Sequence, residues 1–96
     1  MLRIAWRDGE ENDTVMRLEG RMLGLWVEEV RRSCERLLAE GRVLTLDLGD
    51  VSFLDTDGVR LLRALARRRV RLIHCSAFIA ELLRSAGSQR KRGRRL

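Results

Sequence analysis

One stretch, Arg42 to Arg69 (RVLTLDLGDVSFLDTDGVRLLRALARRR), constrains the fold more than any other. Val43 to Leu48 is apolar enough for a buried strand. Gly49 to Asp57 reads as a polar connection interrupted by Val51, Phe53 and Leu54. From Gly58 onward, Val59, Leu61, Leu62, Leu65 and Ala66 recur at helical spacing. Asp55, Thr56 and Asp57 therefore fall where a helix begins. Short oxygen-bearing side chains suit that place, because the first helical N–H groups lack backbone partners. An exposed hydroxyl at a helix N-terminus is also well placed to carry a phosphate.

The rest of the chain supplies elements to pack against this unit. Leu2, Ile4 and Trp6 alternate with polar residues, which predicts a half-buried strand with Trp6 in the core. A charged turn containing Gly9 and Asn12 follows. Val15 to Glu19 predicts a second strand, so that the two form a hairpin. Gly20 to Gly24 is a connection. Leu25 to Glu40 predicts an amphipathic helix whose apolar stripe is Val27, Val30, Cys34, Leu37 and Leu38, with Gly41 as its stop. Trp26 precedes the stripe by one residue and either packs at the start of that helix, which is the expectation, or is exposed to contact a partner. Arg71 to Cys75 predicts a fourth strand. Ser76 can cap a last helix, Ala77 to Ala86, with Phe78, Ile79, Leu82 and Leu83 inward.

The predicted order is β-β-α-β-α-β-α, an α/β fold with a small mixed sheet and helices packed on it. Ninety-six residues make one domain. A chain this size buries roughly 60–70% of its unfolded surface, enough for one core but not for a deep substrate pocket too. Residues 1–83 carry 14 Arg against 14 Asp or Glu, while residues 84–96 hold five Arg and one Lys with no acid. The net charge of +6 thus belongs to the C-terminal end. We expect a domain over residues 1–87 and a basic, unstructured tail over 88–96. No apolar run approaches the ~20 residues of a membrane span, and no signal-peptide core is visible. Cys34 and Cys75, both in apolar contexts, fit a reducing cytoplasm.

Few residues are arranged for chemistry. His74 has no His or Cys at metal-ligand spacing, so no metal is expected. The cysteines lack a CxxC or Cys-His pattern, and no phosphate-binding or dinucleotide fingerprint occurs, so no cofactor is expected. Asp47 and Asp55 could act as acid and base, but structural roles fit them better: Asp55 ordering the turn and capping the helix, Asp47 held by a local backbone group or Arg. With no nucleophile, base or metal constellation, an enzyme is not expected.

The run Leu46-Asp47-Leu48, then Val51-Ser52-Phe53-Leu54-Asp55-Thr56-Asp57-Gly58-Val59, resembles the signature of STAS domains, the sulfate-transporter and anti-sigma-factor-antagonist fold. The resemblance extends from about Arg17 to Gly87 and agrees with the predicted order of elements. In regulatory members the hydroxyl after the first Asp of this turn is phosphorylated, which here is Thr56. The resemblance implies a cytoplasmic regulatory module that binds a serine kinase acting also as anti-sigma factor, is switched off by phosphorylation at Thr56, and is reset by a phosphatase. The implied partner-binding surface is Asp55, Thr56, Asp57, Gly58, Arg60 and Arg63. A phosphorylation-independent adaptor in a transport or signalling complex is the alternative, and Asp57, a carboxylate beside the hydroxyl, favours it. A third reading, an accessory protein touching nucleic acid through the tail, needs no specific recognition. Arg60, Arg63 and Arg67 form a basic stripe that is either part of the surface or simply solvated.

Overall fold

The computed structural model describes residues 2–84. Its elements are β1 (Leu2–Asp8), β2 (Asp13–Met22), α1 (Leu25–Ala39), β3 (Val43–Leu54), α2 (Thr56–Arg67) and β4 (Arg71–Ile73). A last helix, α3, occupies residues 77–84. The four strands form one mixed sheet in the order β1-β2-β3-β4. β1 is antiparallel to β2, whereas β2, β3 and β4 run parallel. The expected order, β-β-α-β-α-β-α, is the order observed.

The core lies between one face of the sheet and the helices. Alternation along β3 sends Leu44, Leu46 and Leu48 inward, while Thr45 and Asp47 face the other way and are half-buried. Met16 and Leu18 of β2 join them, and the helices contribute Val30, Cys34, Leu62, Leu65 and Ile79. Thr14 is buried too. Its hydroxyl donates to Asp8 Oδ1 (3.3 Å) and accepts from Arg42 Nε (2.6 Å), which ties the hairpin to the entrance of β3.

Both long helices end in the same device. After α1, Gly41 at φ 82° lets its N–H reach Leu38 O (3.0 Å) and lets Arg42 N–H reach Leu37 O (3.1 Å). These two bonds satisfy carbonyls that the helix leaves open. After α2 the same pair runs from Arg69 N to Ala66 O (3.2 Å) and from Val70 N to Leu65 O (3.1 Å). There the left-handed position is held by Arg69, at φ 70°, where glycine is favoured because it has no Cβ.

Several expectations are corrected. β3 does not stop at Leu48 but runs to Leu54, and β2 extends to Met22. The predicted connection over 49–57 is mostly strand, because each strand offers the other a backbone to pair with: Glu19 with Asp50, Gly20 with Val51, Arg21 with Phe53, Met22 with Leu54. Two register shifts let Val51 and Leu54 turn inward while Asp50 and Ser52 meet water. β4 ends at Ile73, and His74 leaves it in the left-handed region at φ 60°. Trp6 is not core: it is 44% exposed, on the edge strand beyond the cover of the helices. Trp26 is 38% exposed rather than packed. Phe78, expected inward, is 50% exposed and stacks on Phe53 with centroids 6.2 Å apart. Ala66 also faces water. The expected end of the last helix and the basic tail over 88–96 lie outside the described residues.

Two substitutions test this packing. Leu62 is fully buried at the junction of α2 with the sheet, so Leu62→Ala should cost about 2–5 kcal/mol in chemical denaturation, a large part of a small domain's stability. Arg69→Gly should do the reverse. Relieving the left-handed backbone should raise stability by up to about 1 kcal/mol, partly offset by the freer unfolded chain, and thermal denaturation should show a higher midpoint.

Candidate partner-recognition site

The C-terminal ends of the parallel strands β2 and β3 lie side by side, and the chain leaves both into helices. Asp55 sits at this junction in extended backbone, φ −85°, and caps α2. Its Oδ1 accepts from Gly58 N (2.8 Å), as an N-cap should. Its Oδ2 accepts from Gly24 N (2.9 Å), the residue before α1. One carboxylate thus fastens the start of one helix to the start of the other. Gly58 packs closely here: a Cβ there would stand 3.1 Å from Met22 O, a tight contact with a backbone atom.

Thr56 is the first residue of α2 and is exposed. Asp55 caps α2 as expected, and the Thr56 hydroxyl has no hydrogen-bond partner among the described residues. Asp57 is likewise exposed. Its carboxylate pairs with Arg60 Nη1 at 3.7 Å, with the two side chains 70% and 71% exposed. Such a pair contributes little to stability. Arg63 is turned elsewhere: half-buried, it donates from Nη1 to Leu83 O (2.8 Å) and holds α3 against α2, while its Nε is buried without a partner. Five of the six anticipated surface residues therefore gather at the N-terminus of α2, and the sixth serves α3.

A groove of about 380 Å³ opens beside them between the first turns of α1 and α2. Val27 and Leu61 form its apolar floor; Glu28, Arg31, Asp57 and Arg60 stand around it. Exposed Leu25 and Trp26 lie at the N-terminal end of α1, and the Phe53–Phe78 stack at the end of β3. Of these, helical spacing places only Phe78 inward; Leu25 and Trp26 precede the apolar stripe of α1, and Phe53 stands in the predicted connection. The partnership of Gly24 with Asp55 left no trace, because it joins positions 31 apart.

The groups considered for chemistry are committed elsewhere. Asp47 Oδ1 accepts from Gly49 N (3.0 Å) and lies 3.0 Å from His74 Nδ1. The Gly49 N–H, with help from His74, holds this carboxyl below its usual range. Its stabilising contribution is therefore present above the ordinary carboxylate range and is lost only as pH falls through the depressed value. Burial pushes the Cys34 thiol up to about 12, which leaves almost no thiolate at neutral pH. Among the described residues no cluster of three His, Cys, Asp or Glu could hold a metal. No helix among them is long and apolar enough to cross a membrane.

The family described as "Mlab, STAS domain" matches residues 7–96. The chain belongs to this STAS family, as its Asp55-Thr56-Asp57-Gly58 turn suggests. Solved structures agree on the fold. The anti-sigma factor antagonist SpoIIAA in its unphosphorylated form superimposes with a TM-score of 0.70 at 19% identity, covering 95% of this chain and 99% of that one. The phosphorylated form of the Bacillus cell fate determinant SpoIIAA gives 0.66 at 22% identity, covering 88% and 84%. An antisigma-factor antagonist STAS domain from Rhodobacter sphaeroides gives 0.61 at 18% identity, covering 76% and 86%. At these identities the likeness is one of fold. A search of curated proteins found no match.

The double role of Asp55 is open to test. Asp55→Ala removes acceptors from both Gly58 N and Gly24 N, and should cost about 2 kcal/mol, more than an ordinary lost cap. Asp55→Asn keeps one good acceptor and should cost roughly half as much. Urea denaturation of the two variants beside the parent protein measures the difference.

Proposed function

We propose that this chain is a non-enzymatic, cytoplasmic protein-binding module whose recognition surface is the N-terminus of α2, switched by phosphorylation of Thr56. The partner on this reading is a serine kinase that also serves as an anti-sigma factor, and a phosphatase resets the module. The observation that carries the proposal is the exposed hydroxyl of Thr56, free of capping duty on the first turn of a helix. A phosphate there gains from the helix dipole and from free N–H groups, so modification would leave the fold intact. About two negative charges would enter a surface meant to meet a protein, and desolvating them without a matching cation is costly. Membership of the STAS family, and a fold shared with an antagonist solved both with and without its phosphate, support the same reading.

A second reading is favoured by one residue. Asp57 places a permanent carboxylate beside Thr56, which opposes a phosphate by like-charge repulsion and suits an adaptor that is never modified.

The two readings part in a binding experiment. A pull-down from lysate with wild-type protein, read by mass spectrometry, identifies the partner, and calorimetry then compares variants. For a switch, Thr56→Glu should weaken binding tenfold or more, about 1.4 kcal/mol, while Thr56→Ala binds as the parent does. Equal affinity of wild type and Thr56→Glu would leave a constitutive adaptor.

A further inference from the structure

A phosphate on Thr56 needs a counter-charge, and the surroundings narrow the choice to one side chain. From α1, Glu28 and Arg31 face the same groove, but Arg31 Nη2 is held by both oxygens of Glu28. Asp55 is taken up by Gly24 N and Gly58 N. Arg63 is committed to Leu83 O. Arg60 remains. It follows Thr56 by four residues and Asp57 by three, so both lie on its face of the helix and within reach of its guanidinium. Its contact with Asp57 is long, 3.7 Å, and more than two-thirds exposed at both ends, so little opposes its leaving.

We propose that Arg60 is the phosphate-holding residue of this site: resting on Asp57 in the unmodified protein, it transfers to the phosphate of phospho-Thr56 and leaves Asp57 without its counterion. This rests on the reading of Thr56 as a phosphorylation site. Phosphate is the better acceptor, because it offers a second negative charge and the spacing of oxygens that a guanidinium fork matches. Asp57 thereby acquires a purpose. In the resting state the Asp57–Arg60 pair is neutral. After modification the patch holds a dianion, a bare carboxylate and one arginine, and so carries about two net negative charges. The size of the change, two charges, is the same with or without the carboxylate; what Asp57 sets is the starting point, so that the patch passes from neutral to doubly negative instead of from positive to singly negative.

The experiment uses the full chain with phosphothreonine incorporated at position 56, and follows its phosphorus resonance by NMR as pH is varied. The second ionisation of a phosphothreonine lies near pH 6. Arg60→Ala should raise its midpoint by about half a pH unit, since the dianion loses its cation. Asp57→Asn should lower it, because the phosphate no longer competes for Arg60 or meets a neighbouring carboxylate. Arg67→Ala, nearly two turns further along the same stripe, should leave the midpoint where it was. Circular dichroism confirms that each variant is folded. Equal midpoints for the parent and Arg60→Ala would overturn the proposal, and an unmoved midpoint in Asp57→Asn would overturn the contest for Arg60. No partner protein is needed, so the outcome is separate from the calorimetry: a partner indifferent to Thr56 would sink the switch and leave this measurement standing.

Discussion

Parallel pairing of β2 with β3 along nearly their whole length is the constraint from which the rest follows. Parallel neighbours cannot be joined by a tight turn, so the chain must cross over, and α1 is that crossover. The crossover brings the C-terminal ends of both strands to one edge, where each strand gives way to a helix. Met22 pairs with Leu54 there, one residue before Asp55 and two before Gly24. The distance between Gly24 and Asp55 in sequence is long; across the sheet it is one hydrogen bond. Open α/β sheets commonly place their binding surfaces at this edge, because helix N-termini and strand ends converge on it.

At that edge one carboxylate does two jobs, and the consequence falls on its neighbour. Because Asp55 satisfies both Gly58 N and Gly24 N, Thr56 has no structural duty. A hydroxyl that capped the helix would be tied to it; this one is exposed and free of that duty. Gly58 completes the arrangement by letting α2 begin close against the carbonyl of Met22, an approach that a side chain would crowd. The site is thus built from backbone geometry and one acid, with the charged residues of α2 arranged around it.

Among the described residues the helices cover one face of the sheet, whereas parallel strands usually have both faces covered. Its other face carries polar and charged pairs: Arg3 with Glu19, Arg17 with Glu19 and Asp50, and the contact of Asp47 with the His74 ring. Each of these pairs is weak, since all are partly or largely exposed. Their value lies in register. A strand that slipped by one residue would carry these charges into the core and the leucines into water.

The periodicity of the chain determined much of this architecture. Strict alternation in Leu44-Thr45-Leu46-Asp47-Leu48 and helical spacing in Val59, Leu62 and Leu65 each state which face is inward, because burial follows side-chain direction and direction follows the backbone period. Gly41 and Ser76 marked a helix end and a helix start by the groups they leave free or supply. The acidic turn before α2 was legible for the same reason. What sequence could not determine were matters settled by neighbours distant along the chain. Polar residues 49–52 looked like a loop, and became strand because β2 stood beside them with unpaired backbone groups. Trp6 and Phe78 had the pattern of core residues and are surface instead, Trp6 on the edge strand β1 and Phe78 stacked on Phe53 of β3. The cap itself was legible, since Asp55 was expected to order the turn and cap α2 and does so; its second bond, to Gly24 N, belongs to the same class as these, because it reaches across the sheet to a residue 31 positions away.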